Sequence, residues 1–181
     1  MRLFVCVSPD EASARTLAAF MGRLRGFPGY KWVAPENLHV TLLFLGESDG
    51  AQVQRIDSEL SRLGGIRPFA IKISGAGAFP NLSRPKTIWL GVREGAGELE
   101  KLGAKVARAA KGAGFASDDK KFKAHLTLAR ARGDGGAMPE DLKKSLDDAP
   151  AVSWTCDRFT LMKSLLTPKG PIYTPIRTYE L

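Results

Sequence analysis

Residues 2–8 alternate Leu3, Val5 and Val7 with Phe4 and Cys6, the period-two pattern of a strand with at least one buried face. The next apolar positions, Ala14, Leu17, Ala18, Met21 and Leu24, recur every three or four residues and predict a helix to about Arg25. Ser8-Pro9-Asp10-Glu11 supplies its start, with Ser8 as cap, Pro9 in the first turn and Glu11 completing a capping box. Gly26, Pro28 and Gly29 stop it. A second strand is predicted over 38–45, and a second helix over 49–63 with Val53, Ile56, Leu60 and Leu63 on one face. Phe69, Ile71 and Ile73 mark a third strand over 68–74. The stretch 75–85, rich in Gly, Pro and Asn, reads as a loop between two halves.

The second half repeats the order. It reads as a strand over 86–92, then a helix over 98–111 with Leu99, Leu102, Val106 and Ala109 inward, ended by Gly112 and Gly114. A strand over 122–129, a Gly-rich loop over 132–137 and a short helix over 139–146 follow. A long strand over 152–166 and a last strand over 172–180 close the chain. Each half is therefore strand–helix–strand–helix–strand, with one further strand at the end. The pattern suggests a duplicated domain spanning 1–181, with halves of about 1–80 and 81–181.

Composition narrows the class. The 181 residues are 44% hydrophobic and 25% charged, as in a globular protein and unlike a disordered one. With 27 Lys+Arg against 19 Asp+Glu the net charge is +8, and the pI is about 9.7, so phosphate heads the list of partners. Each half carries +4, which argues against an appended basic arm. Only Cys6 and Cys156 are present, too few for a disulfide framework; both fit core thiols in a reducing compartment. No run approaches the roughly 20 apolar residues of a membrane span, and the strand-like start lacks a signal-peptide layout. A cytoplasmic protein without membrane attachment is expected.

The chain has two histidines, in His39-Val40-Thr41-Leu42 and His125-Leu126-Thr127-Leu128. Each stands in the middle strand of its half. Alternation puts His39 with Thr41, and His125 with Thr127, on one face, against apolar rows on the other. A single strand histidine reads most simply as structural, whereas matched tetrapeptides at matched places point to shared chemistry. Two imidazoles facing one groove offer a base behind a nucleophile and an acid behind a leaving group, as in-line displacement at phosphorus requires. Hydroxyls and cations beside them would hold the other phosphate oxygens. The histidines lack the i, i+4 helical spacing of a metal site and no carboxylate adjoins either, so neither metal nor other cofactor is expected.

These motifs resemble those of the two-histidine phosphoesterases, and specifically the RNA 2′,3′-cyclic phosphodiesterases of bacteria and archaea, also called 2′-5′ RNA ligases. The resemblance covers nearly the whole chain: Arg2-Leu3-Phe4-Val5, Glu36-Asn37 before the first motif, and Phe44-Leu45-Gly46-Glu47 after it. It continues through Pro80-Asn81, Arg84-Pro85-Lys86, Trp89-Leu90-Gly91, the second motif with Ala129-Arg130, and 165–173. Ala124 stands where relatives often carry proline, a change of backbone but not of chemistry. The resemblance implies an α+β, bilobal fold with pseudo-two-fold symmetry, each lobe a mainly antiparallel sheet backed by helices, and a central active-site cleft. It also implies hydrolysis of RNA 3′ ends bearing a 2′,3′-cyclic phosphate to 2′-phosphomonoesters, with His39 as proton donor, His125 as proton acceptor, and Thr41 and Thr127 on phosphate. Symmetry of the two motifs by itself leaves the two histidine roles open. Alternatives are 2′-5′ ligation, another small cyclic phosphate, or a basic RNA-binding module without turnover.

Other candidates come from residue type. Arg130 could fork onto phosphate, and Lys120, Lys121 and Lys123 form a basic approach. Phe44, Trp32 and Tyr173 are candidates to stack a terminal base. Alternation, however, assigns Phe44 to the apolar face. The glycines of 75–79 and 133–136 match no phosphate-loop spacing and read as turns. A monomer is expected.

Overall fold

The computed structural model describes residues 1–116, 122–168 and 170–181. In chain order the elements are β1 (Arg2–Val7), α1 (Glu11–Leu24), β2 (Tyr30–Trp32), a 3₁₀ turn (Pro35–Asn37), β3 (Val40–Glu47), α2 (Gly50–Leu60), β4 (Phe69–Phe79) and β5 (Thr87–Glu94). They continue as α3 (Ala96–Gly112), β6 (His125–Ala131), α4 (Glu140–Asp147), β7 (Val152–Cys156), β8 (Arg158–Thr167) and β9 (Gly170–Glu180). The strands make one sheet in the order β7-β4-β5-β6-β3-β1-β8-β9, with β2 paired to β6. Every strand pairing among the described residues is antiparallel.

The repeated unit is β1-α1-β3-α2-β4 and β5-α3-β6-α4-β8. In each unit the third strand leaves its own pair: β4 lies beside β5, and β8 beside β1. The two halves of the sheet, β7-β4-β5-β6 and β3-β1-β8-β9, thus draw strands from both halves of the chain. The predicted single strand over 152–166 is two strands. Its first part pairs with β4 and its second with β1, near opposite ends of the sheet order, and only Asp157 lies between them. One residue spans at most about 3.6 Å, so the sheet must curl until its two ends meet there.

Helices cover one face of the sheet. Val40, Leu42, Leu126 and Leu128 share a core with Leu17 and Met21 of α1 and Leu99, Leu102 and Val106 of α3, all 5% exposed or less. Full burial of such a side chain is worth about 1.5–3 kcal/mol. The α1 cap is Asp10, whose carboxylate accepts from the Ser13 N–H at 2.8 Å, and not Ser8. An ionised side chain at the positive end of the helix dipole is the better acceptor, so Ser8 and Pro9 stay outside the helix. Asp49 caps α2 in a reciprocal box with Gln52. β2 and the 3₁₀ turn, three residues each, were too short to show periodicity.

Residues 75–79 form strand and not the predicted loop or turn. Gly75 adopts φ +75° where the β4–β5 register slips, a conformation suited to glycine. Gly77 faces Trp89, and a Cβ there would stand 2.3 Å from the indole. These glycines serve a bulge and a close approach inside a strand. Gly133, at positive φ, does lie in a turn, and Gly135, also at positive φ, lies in the irregular loop that follows it.

Candidate active site

The two motif strands touch at a single pair, Val40 opposite Leu126. Both side chains are fully buried on the helix-covered face. Extending this antiparallel register by one residue sets His39 across from Thr127 and Thr41 across from His125. All four polar side chains therefore share the opposite face, around a local two-fold axis through the central pair.

Each strand then breaks its alternation at the leucine of its motif. Against β1, β3 pairs Leu43 with Val5 and Thr41 with Cys6, leaving Leu42 over. Against β5, β6 pairs Ala129 with Ile88 and Thr127 with Trp89, leaving Leu128 over. One extra residue reverses the phase of everything after it. The residues it turns back onto the histidine face are Phe44 and Arg130, each five places after its histidine. Strict alternation had assigned Phe44 to the core; instead it is 63% exposed, beside Phe4 at a ring-centroid distance of 6.2 Å.

The imidazoles are held alike. His39 Nδ1 lies 2.6 Å from the Asn37 carbonyl oxygen, and His125 Nδ1 lies 2.6 Å from that of Lys123. A carbonyl oxygen only accepts, so Nδ1–H donates in both, and Nε2 is left as the nitrogen that exchanges a proton. Phe4 and Tyr173 pack on His39, with centroids 5.0 and 5.4 Å away. Phe79 and Trp89 pack on His125 at 5.1 and 6.1 Å. Burial lowers both imidazole pKa values below the usual histidine range, against the opposing effect of the carbonyl hydrogen bonds. Arg130 lowers both further, His125 adds to the effect on His39, and Lys123 adds to that on His125.

A cleft of about 360 Å³ opens on this face. His39, Thr41, Thr127 and Arg130 line it, and so do all three aromatic candidates, Phe44, Trp32 and Tyr173. Trp32 is half-buried against the core, whereas Tyr173 stands on β9 and covers His39 edge-on. Arg130 is exposed, with Nη1 3.4 Å from the Thr87 hydroxyl. His125 stands beyond the cleft lining, between Phe79 and Trp89. Lys123 lies over those two rings, with Nζ 4.6 Å from the Trp89 centroid and 5.2 Å from that of Phe79. Lys120 and Lys121 fall outside the described residues.

Sequence reasoning passed over Lys31, which also lines the cleft, and Phe4, Phe79 and Trp89, which wall the histidines. The segment Trp89-Leu90-Gly91, already part of the resemblance, was the available signal for Trp89. Cys6 and Cys156 are buried, and burial pushes their thiols up to about 12 and about 11, so both are protonated and inert at neutral pH. Among the described residues no group of three or more His, Cys, Asp or Glu could hold a metal ion. Among them, too, no helix is long and apolar enough to cross a membrane.

The family model of the 2′-5′ RNA ligase superfamily matches residues 9–167. The chain belongs to this superfamily. An Archaeoglobus fulgidus relative named RNA 2′,3′-cyclic phosphodiesterase is 41% identical over 180 residues, covering 99% of this chain and 100% of its own. One of the same name from Thermotoga maritima is 34% identical, covering 96% and 91%. Among solved structures, that of E. coli LigT complexed with 3′-AMP superposes with a TM-score of 0.79 at 25% identity, covering 99% of this chain and 97% of LigT. A Thermus thermophilus protein superposes with a TM-score of 0.80 at 30% identity, covering 100% and 98%. The α+β architecture expected from the resemblance is the one found, and the superfamily members share it.

Proposed function

We propose that the protein hydrolyses the terminal 2′,3′-cyclic phosphate of RNA to a 2′-phosphomonoester, by proton transfer between two histidines and without a metal. The matched Nδ1–carbonyl bonds carry this reading. They leave two Nε2 atoms free on one face, related by the Val40–Leu126 axis, with a hydroxyl opposite each imidazole. Water attacks phosphorus as its proton passes to neutral His125 Nε2. The P–O3′ bond breaks opposite the attack, and protonated His39 gives its Nε2 proton to O3′. Thr41 and Thr127 donate to the non-bridging oxygens, and Arg130 stabilises the charge gathering there. Both imidazoles favour the neutral form in the free protein, so the bound phosphate anion must help to protonate His39. The names of the Archaeoglobus fulgidus and Thermotoga maritima relatives support the substrate class.

Phe44 and Tyr173 supply the platform for the terminal base, with Trp32 at the cleft's margin. Both motif strands and the whole cleft lining come from one chain, which supports action as a monomer with 1–181 as one bilobal domain. An RNA substrate and two free cysteines fit the cytoplasm. The test is turnover of an oligonucleotide 2′,3′-cyclic phosphate by the wild type, His39→Ala and His125→Ala, each with EDTA. Loss of about 10²–10⁴-fold in kcat for each variant is expected, with wild-type activity surviving the chelator. Full activity in both variants, or a strict need for added metal, overturns the reading.

A further inference from the structure

We propose that the residue two places before each histidine, Asn37 or Lys123, is a positioning residue, and that their unlike side chains make two equivalent motifs into unlike halves of one site. This inference rests on the two-histidine reading and extends it to what distinguishes the two sides.

The backbone parts of the two residues are the same. Each carbonyl holds its histidine's Nδ1–H at 2.6 Å. The side chains both reach the wall on which that histidine packs, but by different chemistry. Asn37 Nδ2 donates to the Pro171 carbonyl at 3.0 Å. Pro171 lies two residues before Tyr173 on β9, and Tyr173 packs edge-on against both His39 and Phe4. Asn37 therefore fixes His39 directly and the wall behind it indirectly, through a neutral hydrogen bond. Lys123 spreads over Phe79 and Trp89, the two rings that pack on His125. It performs the same double duty with a fixed cation.

The charges facing each imidazole then differ. His125 faces Lys123, Arg130 and His39, while Phe79 of β4 and Trp89 of β5 bring no charge. His39 faces Arg130 and His125; Phe4 is apolar, and Tyr173 is held as the neutral phenol by burial. Lys31 and Glu36 line the cleft on the His39 side, Arg130 acts on both imidazoles, and Lys123 is the described cation that acts on His125 alone. A cation beside His125 disfavours its proton and keeps it ready to accept one.

The experiment measures kcat and KM on a 2′,3′-cyclic mononucleotide from pH 4.5 to 8.5 for the wild type, Lys123→Met, Lys123→Arg and Asn37→Ala. Met keeps an apolar stem over the rings and removes the charge. The acid limb of kcat/KM reports protonation of the base, so in Lys123→Met it should move up by about half a pH unit. Lys123→Arg should keep the wild-type limb. Asn37→Ala should leave the limb in place and raise KM several-fold more than it lowers kcat, because the β9 wall loses its tether while the His39–carbonyl bond remains. Lys123→Gln serves as a second neutral variant should Lys123→Met fail to fold. A neutral Lys123 variant whose profile superimposes on the wild type, even if uniformly slower, overturns the proposal. So does a limb that moves in Asn37→Ala. A wild-type profile with no limb at all would instead sink the two-histidine reading itself.

Discussion

Gly77→Ala would add one methyl group to β4, yet its effect should reach the far side of an indole ring. A Cβ at Gly77 would lie 2.3, 2.5 and 2.7 Å from Cη2, Cζ2 and Cζ3 of Trp89. Ordinary carbon contacts are about 3.5–4.0 Å, so the indole must move by roughly 1 Å or more. Trp89 cannot move alone. Its centroid is 5.1 Å from Phe79 and 6.1 Å from His125, and Lys123 Nζ sits 4.6 Å above it. Overpacking of this kind costs about 1–3 kcal/mol, which at about 2–4 °C per kcal/mol lowers Tm by roughly 2–12 °C. Displacement of a reacting group by about 1 Å can cost about 10²-fold in rate. Thermal melts and kcat on a cyclic mononucleotide read the two effects. Gly97→Ala in α3 is the control: nothing lies within 4 Å of its Cβ, so Tm and kcat should hold or Tm rise slightly. Gly77→Ala with wild-type Tm and kcat within twofold would refute the claim that the Trp89 wall positions His125.

Three further outcomes follow from the site. Phe44→Ala should raise KM for a cyclic mononucleotide by roughly 5- to 150-fold, the equivalent of about 1–3 kcal/mol of stacking. It should leave Tm nearly unchanged, since the ring is exposed; a fall of about 3 kcal/mol in stability would restore the core assignment. Arg130→Met should lower kcat/KM about 10- to 150-fold through loss of a charged hydrogen-bond donor. It should also move both limbs of the pH profile upward, because Arg130 holds both imidazole pKa values down; unmoved limbs would show that Arg130 does not face them. Finally, the unfolded chain binds protons at these histidines more readily than the folded one. Their contribution to stability is therefore full above about pH 6.5 and lost as pH falls through the lowered folded values. Urea melts at pH 7.5 and 5 should show a smaller acid loss in His39→Gln than in the wild type, and an equal loss would contradict this.

The histidines and threonines of the motifs were legible because a strand's period of two needs only local sequence. So were the four helices, whose apolar faces recur without knowledge of any partner. What a single strand cannot reveal is its register with a neighbour. Phe44 was misphased because the extra residue at Leu42 appears only when β3 is laid against β1. The same holds for Leu128, which brings Arg130 back to the cleft. Residues 75–79 read as loop because glycine is a turn former, while here it makes room for Trp89, contributed by another strand. Continuous strand character hid the break at Asp157, since both segments are regular and only their partners differ. The walls behind the histidines come from β1, β4, β5 and β9, a grouping that the tertiary fold alone assembles.

The most direct test of the central claim is the identity of the product formed from an RNA oligonucleotide 2′,3′-cyclic phosphate in ¹⁸O-water. With His125 activating water and His39 protonating O3′, all product should be the 2′-phosphomonoester carrying one solvent oxygen, and neither His39→Ala nor His125→Ala should form it at an appreciable rate. A 3′-phosphate product, or undiminished turnover by either variant, would contradict the account.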